Sequence, residues 1–276
     1  MDLSIIIVSW NVCNKLRANL TALFSVPSVV NFEVFVIDNN SSDDSVAMIK
    51  NNFPQVKLIV NQDNRGFAKA CNQGIKEATG QYILLLNPDM LVSEDTLAKT
   101  FSWAEANPQA AITGVKLVNE KKEIVGEMRR LPRVFDQFLV ASKLGHLMPF
   151  LLNHYLNKNF DYTKAAKVES IRGSFFLIRR STIEKIGLLD ERYFIWFEET
   201  DYCEMARKNN LEVWYTPAAT ATDYIAQSFK QIDLKIRQNY FKTSMLTYFQ
   251  KWYPGWRVVI LKLGWGIGDL IVKLVS

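Results

Sequence analysis

The chain has 276 residues, 49% apolar and 22% charged, which suits a large folded domain rather than a disordered or fibrous one. Its net charge of +5 comes without a Lys/Arg-rich run or a reader motif, which argues against a nucleic-acid partner. Three widely spaced cysteines, Cys13, Cys71 and Cys203, give neither a CxxC metal pair nor a disulfide framework, so a reducing cytoplasm is the expected setting.

Residues 3–8 are a β-branched run that predicts a buried first strand; it is too short, and lacks the basic flank, for a signal peptide. An amphipathic stretch at 13–24 follows, then a strand at 33–37 and a capped helix at 42–52. The third strand is predicted at 57–60, and a helix at 67–78 is ended by Gly80. The fourth strand is predicted at 82–86, followed by a helix at 93–107 with Ser93 as its N-cap. Continuous apolar strands alternating with helices predict an α/β fold with a mostly parallel central sheet, covered by helices on both faces. The second half is less regular, with strands expected at 111–118 and 171–178 and a hairpin turn at 119–123. An apolar, aromatic segment at 134–155 is interrupted by Gly145 and Pro149, and a further helix is expected at 230–251. No uncharged apolar stretch of 18 residues occurs, so a membrane span is not expected.

Ligands of such sheets bind beyond the carboxyl ends of the strands. The first four predicted strands end in Ser9-Trp10-Asn11, Asp38-Asn39-Asn40, Asn61-Gln62-Asp63-Asn64-Arg65-Gly66 and Asn87-Pro88-Asp89. Turn chemistry alone accounts for any one of these loops. Four in succession predict a polar cleft.

The stretches SIIIVSWN, VFVIDNNSSDDS, NQDNRGFAKACNQGI, GQYILLLNPDM, RGSFFLIRR and LDERYFIWFEETDYC resemble, in order, the motifs of family 2 glycosyltransferases. The closest resemblance is to the bacterial rhamnosyltransferase-like branch with its GT-A fold. That resemblance implies a nucleotide-diphosphate sugar donor, a divalent Mg²⁺ or Mn²⁺ ion, and inversion at the anomeric carbon. It maps the nucleoside-gripping aspartate to Asp38. With the strand-end loops it places the donor among Ser9, Asn11, Asp38, Asn40, Arg65, Gly66, Asn72 and Asn87. Arg65 supplies charge and Gly66 close backbone approach on the phosphate side; an Asx turn is the competing role for Asp38, and a solvated loop charge for Arg65. The family's metal-binding Asp-x-Asp reads Asn87-Pro88-Asp89 here. The later histidine ligand has its counterpart, counted from Pro217, in Asp223, with Ser228 following. Both replacements keep oxygen donors, which hard cations accept.

An inverting transfer needs a carboxylate to take the proton of the acceptor hydroxyl. The family's Glu-Asp-x-Asp reads Glu198-Glu199-Thr200-Asp201. Glu199 is therefore the direct counterpart of the base, one methylene longer, and Asp201 the fallback. Capping of a helix from about residue 200 is the competing explanation for these acids.

Gly264, Gly266 and Gly268 follow no strand and open no βαβ unit, so they are not a dinucleotide loop. On a helical wheel of 258–275, Lys262, Asp269 and Lys273 share a narrow arc opposite a broad apolar face, with Trp265 near the boundary. This pattern fits a helix lying in a membrane interface and equally a helix docked on the chain's own core. The expected organisation is a glycosyltransferase domain over 1–229 and a C-terminal helical segment over 230–276, peripheral at the inner face of the cytoplasmic membrane. The expected partners are the donor and a glycan or lipid-linked acceptor, in cell-surface polysaccharide assembly. A sugar nucleotidyltransferase would need a Gly-rich basic loop after the first strand, and residues 9–13 offer none. The departures at Glu199 and Asp223 leave a non-catalytic, sugar-nucleotide- or partner-binding homologue as the alternative.

Overall fold

The computed structural model describes residues 1–25, 30–92, 95–125, 128–224 and 232–275. Strand β1 (Leu3–Ser9) is buried along its whole length. Leu3, Ile5 and Ile7 join one apolar cluster, while Ile6 and Val8 join another on the opposite face. This alternation is what a strand sandwiched between two helical layers requires.

The chain continues through α1 (Cys13–Ser25), β2 (Phe32–Asp38), α2 (Ser45–Asn52), β3 (Lys57–Val60), α3 (Phe67–Glu77) and β4 (Tyr82–Leu86). These four strands pair in parallel in the order β3-β2-β1-β4. Leu16, Leu20 and Leu23 of α1 pack with Met48 and Ile49 of α2 on one face, and Ala68, Cys71 and Ile75 of α3 cover the other.

The second half comprises β5 (Met90–Val92), α4 (Thr96–Ala106), β6 (Ala110–Val118), α5 (Val134–Ala141), α6 (Asn153–Leu156), β7 (Ala166–Val168) and β8 (Phe175–Arg179). It ends in α7 (Arg180–Ile186), α8 (Glu198–Lys208), β9 (Glu212–Asp223), α9 (Leu234–Trp252) and α10 (Gly255–Val275). The full order is β3-β2-β1-β4-β8-β6-β9-β5, with β7 also on β9. The expected α/β fold is present, but parallel pairing is concentrated in the first four strands. β8 runs antiparallel to β4 and β6, β5 and β7 run antiparallel to β9, and only β6–β9 is parallel in this half. A strand buried on both faces is apolar whichever way it runs, so its direction leaves no trace in the pattern.

The hairpin at 119–123 closes as expected, with Asn119 N donating to Glu123 O at 2.9 Å. The 134–155 segment becomes α5, two 3₁₀ turns (Leu144–His146 and Pro149–Leu152) and the start of α6. The proposed N-cap Ser93, the serine at 228 and the 229/230 boundary lie outside the described residues.

A third cluster joins α9 and α10 to the body of the chain. Tyr248 and Phe249 of α9 and Val258, Leu261 and Trp265 of α10 pack with Ala141, Tyr193 and Phe197. The segments on either side of the 229/230 boundary therefore share one core.

Candidate active site

A cavity of about 490 Å³ opens at the carboxyl ends of β1, β2 and β4. Trp10, Asn39, Gly66, Asn87 and Asp89 line it from the first half of the chain. Arg172, Ser174, Phe194, Glu198, Glu199 and Asp223 line it from the second, and Arg237, Phe241 and Trp265 of the last two helices complete the wall.

Of the residues singled out from sequence, Gly66, Asn87, Asp89, Glu199 and Asp223 line this cavity. Asp89 and Asp223 lie 134 positions apart in sequence. They meet because β5 pairs with β9, with Met90 opposite Asp223, and Tyr224 N donates to Asp89 O at 3.3 Å. Both side chains are buried, and the Arg172 guanidinium stands 3.6 Å from the Asp223 carboxylate.

Ser9 and Asp38 are neighbours in the β1–β2 register. Both are fully buried, and Ser9 Oγ and Asp38 Oδ1 each have no hydrogen-bond partner among the described residues. The other Asp38 oxygen accepts from Ser41 N at 2.9 Å, so the turn role and an available acceptor coexist in one carboxylate. Asn11 and Asn40 both take left-handed backbone conformations, and Asn11 Oδ1 accepts from Ser42 N at 2.7 Å. Asn11 thus fastens the loop after β1 to the loop after β2. Asp43 caps two helices, accepting from Cys13 N at the start of α1 (2.9 Å) and from Ser45 N at the start of α2 (3.1 Å).

Three of the residues assigned from sequence have other partners in the structure. Asn72 does not face the cavity. Its amide donates to Leu189 O at 2.8 Å and accepts from Leu189 N at 3.1 Å, stapling α3 to the loop before the acidic motif. Arg65 pairs with Asp63 at 3.1 Å on the surface. Gly66 is at φ 79, and a Cβ there would stand 2.5 Å from Phe194 O. The glycine therefore admits the Phe194 backbone, to which Phe67 N donates at 2.6 Å, while still lining the cavity.

Asp201, the fallback base, is also committed elsewhere. It is completely buried and accepts from Lys251 Nζ at 2.7 Å, Trp252 Nε1 at 2.6 Å and Tyr193 Oη at 3.2 Å. A carboxylate held by three donors has little capacity left to take a proton from an acceptor.

Glu198 and Glu199 open α8, where acids suit the helix dipole. Capping does not account for their depth: Glu198 Oε2 and Glu199 Oε2 are both buried without a partner among the described residues. Burial pushes both carboxyls up from the usual range, Glu198 much further, because the charge on Glu199 adds to its desolvation. Arg129 and Arg172 oppose the rise at Glu199. Both carboxyls thus hold a proton more readily than an exposed one, with Arg129 and Arg172 favouring ionisation at Glu199. The bend that delivers them is strained, since Trp196 and Phe197 sit at φ 64 and 70, each a conformation costing about 1–3 kcal/mol. Phe241 of α9 holds that bend, its ring centre 6.0 Å from Trp196 and 5.6 Å from Phe197.

Glu198, Arg172 and the aromatic wall of α9 and α10 escaped the sequence assignment. Arg172 belongs to the quoted RGSFFLIRR stretch, but only the fold shows that it faces Asp223. Among the described residues no group of three or more His, Cys, Asp or Glu forms a metal cage by itself. The buried Asp89–Asp223 pair with Asn87 nearby suits a hard cation whose remaining shell is diphosphate oxygen, which is how Mg²⁺ is commonly held.

A parallel nucleotide-fold half, an antiparallel extension carrying acids into a cavity, and a pair of buried aspartates define a glycosyltransferase. Residues 4–187 match the model of Glycosyl transferase family 2, and the chain belongs to that family. It is 26% identical over 216 residues to the low-salt glycan biosynthesis hexosyltransferase Agl10 of Haloferax volcanii, covering 77% of this chain and 64% of that protein. It is 29% identical over 164 residues to poly-beta-1,6-N-acetyl-D-glucosamine synthase of Staphylococcus aureus, covering 57% of this chain and 35% of the relative. The chain thus spans less than two thirds of the length of these curated relatives. The mannosyltransferase PcManGT of Pyrobaculum calidifontis, solved with GDP-Man and Mn²⁺, superposes with a TM-score of 0.60 at 16% identity. That likeness covers 96% of this chain and 69% of the neighbour and bears on the fold alone.

Proposed function

We propose that this chain is an inverting, metal-dependent transferase that moves a hexose or deoxyhexose from a nucleotide-diphosphate sugar to a hydroxyl of a surface-glycan acceptor. The observation that carries it is the meeting of Asp89, Asp223 and Glu199 on one cavity at the strand carboxyl ends. Relatives named for hexosyl and N-acetylglucosamine chemistry support the sugar class. Rhamnose rests on the N-terminal motifs.

In this reading Asp38 and Ser9 take hydrogen bonds of the nucleoside, and Asp89, Asp223 and Asn87 hold the divalent ion. When bound, that ion neutralises charge on the departing nucleoside diphosphate. Glu199 takes the proton of the acceptor hydroxyl as its oxygen attacks the anomeric carbon and the bond to the diphosphate breaks. Arg129 and Arg172 favour the ionised form of Glu199 against its burial. The aromatic wall positions the acceptor and excludes water.

A peripheral contact at the inner face of the cytoplasmic membrane fits the last helix. Among the described residues no helix is long and apolar enough to cross a membrane. α10 nevertheless leaves Trp256, Val259, Leu263, Ile267, Leu270 and Leu274 exposed, a stripe at i+3/i+4 spacing. Its opposite face, with Val258, Leu261 and Trp265, is docked on the core, so each role considered for this segment has its own side of the helix.

The test is turnover of a panel of nucleotide sugars with Mn²⁺ or Mg²⁺ and simple sugar acceptors, with the anomer assigned by NMR. One donor consumed with inversion, and abolished by Glu199→Gln and Asp89→Ala, is expected. Donor binding without turnover on any acceptor would support the non-catalytic alternative.

A further inference from the structure

Lys143 and Arg237 line the cavity and Lys242 stands beside its Trp265 wall, three cations that the donor chemistry does not use. Lys143 Nζ and Lys242 Nζ each stand 5.6 Å from the centre of the Trp265 ring, so two ammonium groups share one indole. Neither makes an ion pair with a carboxylate among the described residues. Lysines elsewhere do: Lys251 pairs with Asp190 and Asp201, and Lys57 with Glu33. Arg237 lines the same cavity with its Nε buried and unbonded among the described residues. Trp265 is 4% exposed, and its indole N–H likewise lacks an acceptor there.

The backbone at Lys143 adds a second, independent sign. It holds φ 64 and ψ 0, a left-handed conformation that glycine or asparagine takes at less cost. A lysine in that position brings its ammonium to the cavity at the expense of local strain. Grouped cations and unmet donors on one cavity wall favour an anion there. In the reading proposed above, the donor's diphosphate lies on the Asp89–Asp223 side of the cavity. An anion held at Trp265 would then come from the other substrate.

Exposed apolar residues adjoin one side of this cluster. Leu147, Met148 and Phe150 follow Lys143 in sequence and are exposed, whereas the apolar stripe of α10 lies on the face away from Trp265. The two last helices also concentrate positive charge, with Lys235, Arg237, Lys242, Lys251, Arg257, Lys262 and Lys273 against Asp269 alone over 234–275.

We propose that Lys143 and Lys242 at Trp265, with Arg237 on the same cavity, form a subsite for the phosphate of a lipid-linked acceptor, its hydrocarbon lying on the exposed apolar residues that follow Lys143. The word acceptor rests on the transfer reaction proposed above; the anion site does not.

Geranylgeranyl monophosphate, geranylgeraniol and inorganic phosphate serve as probes, each titrated below micelle formation into the full chain by calorimetry. EDTA is present and donor is absent, so failure of this site and failure of the transfer reaction are read separately. The prenyl phosphate is expected to bind at least about 10-fold more tightly than either the alcohol or inorganic phosphate. Lys143→Gln with Lys242→Gln should weaken it about 10- to 100-fold, Lys143→Arg with Lys242→Arg should restore it, and Asp89→Ala should leave it unmoved. Equal affinity for prenyl phosphate and prenol would overturn the anion site, as would full affinity in the double glutamine variant. Inorganic phosphate binding as tightly as the prenyl phosphate would overturn the lipid source.

Discussion

Lys251 reaches from the end of α9 to place its ammonium 2.7 Å from Asp201 and 2.9 Å from Asp190. Two acids of the motif region, on either side of the Trp196–Phe197 bend, are thereby tied to a helix 50 and 61 positions further on. Asp201 is completely buried, and Asp190 is held well below the usual carboxylate range by Arg192 and Lys251.

Substituting Lys251→Met should destabilise the chain by about 3–5 kcal/mol near neutral pH, because it leaves Asp201 buried with its cation removed. Burial already pushes the Asp201 carboxyl up, with Lys251 opposing the rise. In the variant it rises further, so the folded state takes up a proton that the unfolded chain does not hold near neutrality. This part of the deficit should shrink as pH falls. Asp190 works in the opposite sense, since its contribution is present above the unfolded carboxylate range and is lost as pH falls through its lowered folded value. Chemical denaturation of both proteins at several pH values measures the balance. Equal stability near neutrality would show that the network contributes little.

The first four strands and the loops after them were legible because parallel strands buried on both faces and ligand-side turns each leave a local signature. The pairing of Asp89 with Asp223 was legible only through the family pattern, since it depends on β5 crossing to β9. Asn72 and Asp201 misled for one shared reason. An amide or carboxylate suited to a ligand is equally suited to a buried staple, and only Leu189 and Lys251, both distant in sequence, decide which. The cavity's far wall was invisible because Lys143, Phe241 and Trp265 converge from three separate helical segments.

If Glu199 is the base, Glu199→Gln should reduce kcat by about 10²- to 10⁴-fold while leaving donor binding nearly intact. Burial raises its carboxyl above the ordinary range. The acid limb of kcat/KM should therefore lie above the usual carboxylate range, with activity lost as pH falls through it. Arg172→Gln removes an opposing cation and should move that limb to still higher pH. A profile unchanged by Arg172→Gln would separate the guanidinium from the base.

The Asp89–Asp223 pair predicts a particular response to metal. Asp223→Ala should raise the Mn²⁺ concentration needed for half-maximal turnover by at least about 10-fold, the lower end of what losing even an indirect partner of a metal ligand costs. Asp223→Asn keeps one oxygen donor and should fall between the two. Metal titrations of initial rate distinguish these proteins. Identical half-saturation in all three would mean that Asp223 serves Arg172 rather than a cation.

The three glycines of α10 are predicted to differ among themselves. A Cβ at Gly268 would collide with the Ala141 carbonyl, and one at Gly264 would stand 2.9 Å from the Phe138 ring, whereas one at Gly266 meets nothing within 4 Å. Gly264 and Gly268 thus form a small-residue face, one turn apart, on which α10 packs against α5. Gly266 only weakens the helix. Gly266→Ala should stabilise the chain by about 0.5–1 kcal/mol through helix propensity. Gly268→Ala should cost about 1–3 kcal/mol through overpacking, and it should also loosen the wall that carries Trp265. Thermal melts of the two variants test the contrast, because the substitutions are chemically identical and two residues apart. Equal effects would mean that α10 does not rest on α5 as described.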